Sequence, residues 1–417
     1  MKKRTLKFIA IFVTLLTVIL ITPSAFVLHL NGNFFTIDHR EFASSFLRNQ
    51  ERELDDHMEP DQEQEHVSLQ TPSSALPFEP NQEDESENGS EAVPEQDQKI
   101  DQELESEPEQ ERIITVTISA VGDITIGGCP ARNSYSTFMR EFEANNNDHT
   151  YLFRNVRHIF TESDLTIGNF EGTLTDETRH GGKNFNFRAP PEFVMSLIFG
   201  GFDVVTLANN HSLDYFEKGY NDTIDTLDSA GIASFGNARN TIVEVNGINV
   251  GFFGFMAWAD TGTHRNNITS AIDDLKSRGA ELIIAYFHWG VETHYRPSAT
   301  QRNLGRFTID SGADLVLGAH PHVIQGIEIY NGRNIVYSLA NFSFGGNRRP
   351  FDMDTFIFQQ TFTFDNGVLL DTNETNLIPA RVTSARNYNN YQPTPAEGQD
   401  AERILLLLER LNSELNR

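Results

Sequence analysis

Cysteine, tryptophan and positive charge are scarce in this chain. Cys129 is the single cysteine among 417 residues, so no disulfide can form within the chain, and a folded domain must rest on its hydrophobic core. Lys and Arg number 32 against 59 Asp and Glu, giving a formal net charge of -27. This charge argues against nucleic acid as a partner. No neighbouring group in the sequence would activate Cys129, which is predicted to be a small packed residue.

The N-terminus carries basic residues followed by a long uncharged run. Three lysines and one arginine lie within residues 2–7, before residues 8–28 (FIAIFVTLLTVILITPSAFVL). About 20 apolar residues suffice to cross a membrane. The basic flank predicts a single-pass signal anchor over 1–29, with the globular part outside the cell membrane. A signal peptide closed by residues 23–25 (PSA) is the alternative, and it would also export the remainder.

Aromatic and β-branched residues are almost absent from one acidic stretch, residues 51–112. Glu, Asp, Gln, Ser and Pro dominate it, as in residues 81–87 (NQEDESE). A segment of this composition cannot bury enough apolar surface to offset the entropy of ordering. We therefore expect a disordered extracytoplasmic linker over 30–112, acting as a solvated tether or, alternatively, as a binding segment.

From Ile113 onward, short apolar runs alternate with amphipathic stretches. Helices are predicted over 215–230, 268–278 and 299–311, each followed by a glycine typical of a helix C-cap. This alternation predicts a mainly parallel sheet. The pairs at 246–247 and 331–332 (both Asn-Gly) and the segment 365–367 (DNG) predict antiparallel hairpins. The expected fold class is α/β, an α/β/β/α sandwich of two mixed sheets over 113–383, with a loop and an amphipathic helix over 384–417 that docks on the domain or on a partner.

Metal-ligating residue types stand at the ends of five of the apolar runs. Because the carboxyl ends of parallel strands meet at one edge of a sheet, these residues are expected to converge. Their carboxylate, amide and imidazole groups suit a divalent metal such as Mn, Fe or Zn. The expected metal ligands are Asp123, Glu171, Asn210, His288, His320 and His322.

Several of these residues have another explanation when taken singly. Asp123 alone would fit a turn or a helix N-cap, and His288 would fit a core histidine. The segment 209–211 (NNH) would fit the cap of the next helix. Asp214 is either that cap or the partner that orients His211. The His-X-His segment, 320–322, is the most specific of the five.

Other polar residues near these positions are candidates for binding an anionic substrate. His294 and Arg296 lie just beyond the run that ends at His288, and Asn169 precedes Glu171. Arg188 and Lys183 are the nearest other cations. Exposed Arg and Lys need no function, so a purely solvent-facing place is the alternative for them.

Four motifs resemble the bacterial capsule-biosynthesis family of CapA type. They are 164–175 (DLTIGNFEGTLT), 201–216 (GFDVVTLANNHSLDYF), 287–290 (FHWG) and 312–346, which includes GAHPHVIQG. The family comprises poly-γ-glutamate synthesis proteins related to calcineurin-like metallophosphoesterases, and the likeness covers residues 114–364. Departures from the family pattern are Ala319 and the segment 339–342 (LANF), where glycine commonly precedes the asparagine.

The resemblance implies a metallophosphoesterase-like fold and a role for each site residue. Asp123 and His322 would ligate a first metal, and Glu171 would stand at the bridging position. Asn210, His288 and His320 would complete the shell of a second metal, while His211, with Asn210 and Asp214, would form the catalytic group. The superfamily's first motif is Asp-X-His, but Thr125 replaces that histidine here. We therefore expect one tight metal and a second that is weak or absent.

The resemblance leaves three hypotheses for function. One is a membrane-anchored, metal-dependent hydrolase or transferase for synthesis, export or anchoring of a poly-γ-glutamate capsule, acting on the anionic polymer or a phosphate-containing substrate. Another is a non-catalytic tethered component of the polymer synthase and export complex. The third is a general cell-envelope phosphoesterase. Other capsule synthase or export subunits are the expected partners, and nucleic acid is not.

Overall fold

The computed structural model describes residues 112–415 and, in the N-terminal part, three strands. These strands are β1 (Leu20–Thr22), β2 (Ala25–Leu30) and β3 (Asn33–Asp38), which pair in the order β1-β2-β3. By internal contacts the chain divides into a unit Met1–Glu105 and a unit Ser106–Arg417. The basic flank, most of the predicted signal anchor and the acidic stretch lie outside the described residues.

The N-terminal strands differ from the expectation for this region. β1 and β2 occupy the end of the predicted membrane helix, and β3 lies inside the predicted linker. An apolar run rich in Ile, Val and Phe is compatible with a strand as well as with a helix. Within the described residues, no helix is both long and apolar enough to cross a membrane.

The second unit contains the remaining elements. Its strands are β4 (Ile113–Thr125), β5 (Leu165–Phe170), β6 (Thr173–Leu174), β7 (Arg188–Ala189), β8 (Val204–Thr206), β9 (Ala233–Phe235), β10 (Thr241–Val245), β11 (Ile248–Ala257), β12 (Leu282–Trp289), β13 (Leu315–Ala319), β14 (Ile327–Tyr330), β15 (Arg333–Val336), β16 (Asn341–Phe344), β17 (Asp354–Asp365), β18 (Val368–Leu369), β19 (Glu374–Arg381) and β20 (Thr394–Pro395). Its helices are α1 (Asn133–Ala144), α2 (Arg157–Thr161), α3 (Val194–Gly200), α4 (Phe216–Ser229), α5 (Gly262–Ser277), α6 (Ala299–Asp310) and α7 (Gly398–Leu415).

Two mixed sheets form the centre of this unit. The larger has the order β20-β19-β17-β4-β5-β8-β9, with β16 beside β4 and β18 beside β17. The smaller has the order β10-β11-β12-β13-β15-β14. In the larger sheet β4, β5, β8 and β9 are parallel, and in the smaller sheet β11, β12 and β13 are parallel. The expectation of a mixed α/β fold is confirmed.

Three hydrophobic clusters define the layers. The central cluster joins β4 and β5 to β11, β12 and β13, for example through Ile118, Phe252 and Ile284, so the two sheets face each other. A second cluster packs α1 and α3 on the outer side of the larger sheet. A third packs α5 and α6 on the outer side of the smaller sheet. All three clusters lie within residues 112–415, so this unit has its own core.

The predicted hairpins are all present. Val245 pairs with Ile248 across the first Asn-Gly, and Tyr330 pairs with Arg333 across the second. Asp365 pairs with Val368 around the third turn. These two-residue turns need positive φ at both central positions, which Asn and Gly tolerate. Asn246 and Gly247 have φ of 54° and 84°.

The predicted helices are present with shifted ends. α5 begins six residues before the predicted Ile268, because the side chain of Thr261 accepts a hydrogen bond from the backbone of His264 and caps the helix there. α7 packs on the domain, with Ile404 and Leu408 inside the central cluster. Its Arg403 pairs with Asp354 of β17. Of the two alternatives for the tail, docking on the domain is the one observed.

Candidate metal centre

The carboxyl ends of the central strands from both sheets meet at the candidate site. Asp123 of β4 is in register with Asn169 of β5, which is in register with Thr206 of β8. In the smaller sheet, His288 of β12 is in register with Ala319 at the end of β13. The five runs predicted to end in polar residues therefore do bring those residues to one edge.

A close approach between two backbone segments fixes Asp123. A Cβ on Gly122 would lie 1.8 Å from the carbonyl oxygen of Ala340, so only glycine fits there. This contact lets Asp123 N donate to Ala340 O at 2.9 Å. It also aligns β16 with β4, so that Asn341 stands beside Asp123. Asn341 Oδ1 lies 2.9 Å from His322 Nδ1 and so helps to orient that ring.

Four of the predicted ligands form a compact buried cluster. Glu171, His320 and His322 each offer one ligand atom, and these atoms all lie within 4.8 Å of one another. Asp123 Oδ2 lies 3.0 Å from His322 Nδ1. Both histidines of the 320–322 segment have positive φ, 94° and 56°. Left-handed backbone at two histidines is strained, and such strain is typical of functional sites.

Several polar atoms of this cluster lack a hydrogen bond although they are buried. They are both carboxylate oxygens of Glu171 and Nδ1 of His320. Buried polar atoms are nearly always satisfied in folded proteins. Carboxylate oxygens and imidazole nitrogens facing one small volume are what a divalent cation requires. The donor set therefore fits a metal ion held by Asp123, Glu171, His320 and His322.

Burial and mutual charge shift the pKa values in the cluster. Burial, and then the charge of Asp123, hold the pKa of Glu171 well above its usual range. Burial, and then the neighbouring His322, lower the pKa of His320 to about 4. Burial by itself lowers the pKa of His322, but the negative charges of Glu171 and Asp123 outweigh burial and raise this pKa to about 10. A carboxyl and imidazoles shifted this far indicate a site suited to exchanging protons for a cation.

His288 and Asn210 adjoin the cluster at Glu171. His288 Nε2 lies 3.6 Å from Glu171 Oε1 and 2.7 Å from Asn210 Oδ1. Burial, and then His320, keep the pKa of His288 well below its usual value, so its imidazole is neutral, the form that ligates metals. His288 and Asn210 are thus the residues placed to extend the site toward a second ion. Thr125, at the position of the missing histidine, has a buried hydroxyl without a hydrogen bond.

His211 is held by a carboxylate that several other groups also engage. Its Nδ1 lies 2.7 Å from Asp214 Oδ2, and Phe187 N donates to the same oxygen at 2.7 Å. Lys183 Nζ donates to Asp214 Oδ1 at 2.8 Å, and Asp214 is fully buried. Of the two possibilities for Asp214, it orients His211 rather than capping α4. Lys183, expected to bind an anion, is instead paired with Asp214.

Two further residues expected to bind substrate have other contacts. Asn169 is fully buried, and its amide donates to Asp123 Oδ1 at 2.7 Å and accepts from Asn209 at 3.0 Å, so it positions the ligands. The guanidinium of Arg188 donates to the backbone carbonyls of Thr175 and Glu177. These contacts tie the loop and the strand ends together.

The remaining two expected substrate residues lie past β12. Arg296 forms an ion pair with Glu414 of α7 at 2.7 Å, because the chain after β12 turns toward the C-terminal helix. His294 is exposed and its Nδ1 lies 2.9 Å from the backbone oxygen of Glu292.

Sequence reasoning overlooked Trp258. It follows β11 directly, is 49% exposed, and its ring centroid lies 4.6 Å from that of His320 and 5.9 Å from that of His288. The position of Trp258 follows from the strand order: β11 runs parallel to β12, so both strands end at the same edge of the sheet. Because the Asn-Gly pair at 246–247 predicted an antiparallel hairpin here, the end of this strand was not expected at the site.

Comparison with known proteins identifies the family of this chain. The family described as "Bacterial capsule synthesis protein PGA_cap" matches residues 117–346. "Capsule biosynthesis protein CapA" of Bacillus anthracis is 31% identical over 307 residues, covering 66% of this chain and 71% of that protein. "PGA biosynthesis protein CapA" of Bacillus subtilis (strain 168) is 34% identical over 215 residues, covering 46% of this chain and 56% of that protein.

Solved structures give a weaker likeness. The crystal structure of a novel phosphatase from Mycoplasma pneumoniae aligns with a TM-score of 0.39 and 14% identity, covering 64% of this chain and 95% of that one. A hypothetical protein from Thermus thermophilus aligns with a TM-score of 0.38 and 15% identity, covering 63% of this chain and 99% of that one. At these scores the likeness carries no argument about activity. The match over residues 117–346 and the Bacillus anthracis relative show that the chain belongs to the bacterial capsule synthesis protein family, PGA_cap, of CapA type.

Proposed function

We propose that this protein is a metal-dependent hydrolase or transferase that acts in synthesis, export or anchoring of a poly-γ-glutamate capsule. The observation that carries the proposal is the set of buried ligand atoms without a hydrogen bond on Glu171 and His320, next to the paired Asp123 and His322. A scaffold has no need of such atoms, whereas a metal centre does. The names of the Bacillus relatives support the capsule context.

In the proposed reaction, the metal ion and the side chains of the protein have different roles. A bound divalent cation would supply Lewis-acid polarisation of a phosphoryl or acyl oxygen. Asp214 engages His211 Nδ1, which leaves Nε2 to give a proton to a leaving group or to take one from an attacking hydroxyl. Phe187 stacks on His211, with ring centroids 4.3 Å apart, and keeps the imidazole in place. Asn210 and His288 extend the polar surface on the side away from Asp123.

The localisation is part of the proposal. The basic flank and the apolar run from Phe8 support export, whether the segment stays as an anchor or is cleaved as a signal peptide. The globular unit would then stand outside the cell membrane. The anionic polymer or a phosphate-containing compound would be its substrate, and synthase or export subunits would be its partners.

A non-catalytic member of the synthase and export complex is the second candidate. Thr125 in place of the superfamily's first-motif histidine favours it, since the first metal loses a ligand. The His211–Asp214 pair argues against it, because a purely structural metal site does not require an oriented imidazole beside it. A general envelope phosphoesterase remains the alternative that shares the chemistry but not the capsule.

Metal content and turnover together test the proposal. Residues 106–417 contain the whole core and can be purified without chelator, beside a His320→Ala/His322→Ala variant and a His211→Ala variant. We expect about one or two equivalents of Mn, Fe or Zn in wild type and in His211→Ala, and none in the double variant. Hydrolysis of phosphodiester, phosphomonoester or γ-glutamyl substrates should require both the metal ligands His320 and His322 and the imidazole of His211. Metal without turnover, with normal capsule in cells carrying His211→Ala, would favour the scaffold.

A further inference from the structure

Exposed apolar side chains concentrate on the segments around the candidate metal centre. Of the twelve large apolar side chains that are exposed within residues 112–415, six lie on the connections that follow β6, β8, β11, β12 and β16. These connections leave the edge where the metal ligands stand. We call this set the apolar rim: Phe185, Leu213, Phe216, Trp258, Val291 and Phe351.

Ring contacts connect the apolar rim to the site itself. Trp258 lies edge-on to His320, with ring centroids 4.6 Å apart. Phe185 lies 6.2 Å from Phe187, whose ring packs on His211 at 4.3 Å. The rim therefore begins at the metal-ligand and catalytic imidazoles and extends outward into solvent. Solvent exposure of Trp258 and Phe351 reaches 49% and 72%.

Cations accompany the apolar side chains at two places on the rim. The guanidinium of Arg132 lies 5.1 Å from the ring centroid of Phe185. Arg348 and Arg349, both exposed, precede Phe351 in the same loop, and Arg348 also lies 3.9 Å from Glu141. Asp352, next to Phe351, is engaged by Tyr295, whereas the exposed carboxylates Glu217 and Glu292 adjoin Phe216 and Val291, so the rim is basic near Phe185 and Phe351 and acidic near Phe216 and Val291. This local basic character contrasts with the acidic chain, whose net charge is -27.

The distribution of polar and apolar side chains here is the opposite of that in a protein–protein interface. Specific protein interfaces have an apolar centre and a polar rim. Here the centre holds buried carboxylates and imidazoles, and separate apolar side chains stand around it. Phe and Trp among arginines are typical of residues that lie at a membrane–water interface. In a bilayer, polar head groups lie above apolar acyl chains. Apolar side chains around a polar centre could enter the acyl region while the centre faces the head groups.

We propose that the apolar rim docks on the surface of an anionic phospholipid bilayer, so that the metal centre opens toward lipid head groups. The rings insert at the level of the head groups, and Arg132, Arg348 and Arg349 contact lipid phosphates. The predicted N-terminal anchor would keep the domain at such a surface and raise its effective concentration there. Docking does not require catalysis.

Vesicle binding by residues 106–417 tests the docking surface without the predicted anchor. Vesicles of phosphatidylglycerol and phosphatidylcholine are compared with vesicles of phosphatidylcholine alone by co-sedimentation. The chain has two tryptophans, and Trp289 is fully buried, so a blue shift of the emission reports Trp258. We expect binding and a blue shift with the anionic vesicles, weakened by salt.

Variants localise the contact to the rim. Trp258→Ala and Phe351→Ala should each weaken binding by about tenfold, because each removes an inserted ring. Arg132→Ala should weaken binding to the anionic vesicles and reduce its salt dependence. Ile329→Ala and Val368→Ala are matched controls, 59% and 65% exposed but on the β14 strand and the β17–β18 hairpin. They should bind as wild type does.

Two results would overturn the proposal. One is no binding to anionic vesicles by a folded protein with its cooperative thermal transition intact. The other is an equal loss in the control variants, which would mean non-specific adsorption. Metal content and turnover of soluble substrates are measured on the same samples. Vesicle binding without turnover supports docking and counts against the enzyme, while turnover without vesicle binding overturns docking alone.

Discussion

Asp214 Oδ2 lies 2.7 Å from His211 Nδ1 while its other oxygen accepts from Lys183 at 2.8 Å. One buried carboxylate thus orients the imidazole and fixes the loop that carries Lys183. Phe187 N, from the same loop, donates to Oδ2 as well. Since these contacts come from separate parts of the chain, Asp214 joins the loop to the end of β8. It is a positioning residue, because its contacts are with His211 rather than with the ligand cluster.

Substitution of Asp214 by asparagine should therefore separate orientation from metal binding. Asn has one accepting oxygen in place of two, so it can accept from His211 or from Lys183 but not from both, and the imidazole is held less firmly in one tautomer. We expect turnover to fall by roughly 10- to 100-fold, the usual cost of losing an orienting partner, with the metal content unchanged. Long-range ¹⁵N–¹H spectra of the histidine side chains would report the tautomer. Asp228→Asn, at an exposed ion pair with Arg239, is the control and should retain turnover. Loss of metal in Asp214→Asn would contradict the positioning role.

Glu171→Gln should abolish the effect of chelator on thermal stability. Burial and the charge of Asp123 raise the pKa of Glu171, which favours the neutral carboxyl in the metal-free protein, so glutamine should replace it there at little cost. With metal at about 100 times its Kd, wild type gains roughly 3 kcal/mol, or about 5 °C in Tm. EDTA should remove that gain from wild type and leave the variant unchanged, as followed by differential scanning calorimetry. Glu192→Gln, at an exposed carboxyl, should keep the response of wild type. A chelator-sensitive Glu171→Gln would show that the carboxylate is not a ligand.

The convergence of ligands could be predicted because it depends on local signals. A short β-branched run that ends in Asp or His implies a strand end, and parallel strands place such ends at one edge. The same local chemistry predicted the hairpin between Val245 and Ile248. The strand ends and the hairpin are determined by residues that lie close to one another in the sequence.

The contacts of single side chains could not be predicted, because they depend on distant backbone. Lys183 pairs with Asp214, 31 positions away, and Asn341 reaches His322 only because Gly122 lets β16 approach β4. Arg296 pairs with Glu414, 118 positions away, once α7 has docked. Periodicity carries no information about such pairings. In the N-terminal part, three strands lie where the sequence predicted the end of an anchor and the start of a linker, because an apolar run fits either a helix or a strand.

His149 should make folding stability sensitive to mild acid. Burial lowers its pKa to about 4, against 6.5 for an unfolded histidine. The folded protein then binds fewer protons than the unfolded chain between these values, so stability is full above about pH 6.5 and falls as the pH drops toward 4. The loss is on the order of 2 kcal/mol, given ~1.4 kcal/mol per pKa unit and partial exposure of the ring. His149→Phe keeps the packing on Phe142 and Phe193 and should flatten this slope in urea titrations across pH. His158→Phe, at an exposed position in α2, should leave the slope unchanged.

Two leucines on α7 offer a matched test of how firmly the helix is docked. Leu408 is 1% exposed and packs in the central cluster, whereas Leu406, two positions earlier, is 56% exposed. Leu408→Ala should lower the free energy of unfolding by about 2–5 kcal/mol, because it leaves a cavity between the helix and the sheets. Leu406→Ala should change it by less than about 0.5 kcal/mol, as expected for an exposed position. Guanidinium titration of both variants at constant pH gives the comparison. Equal effects would mean that α7 packs on the domain through a different face, and a small effect at Leu408 would mean that the helix separates from the sheets before the domain unfolds.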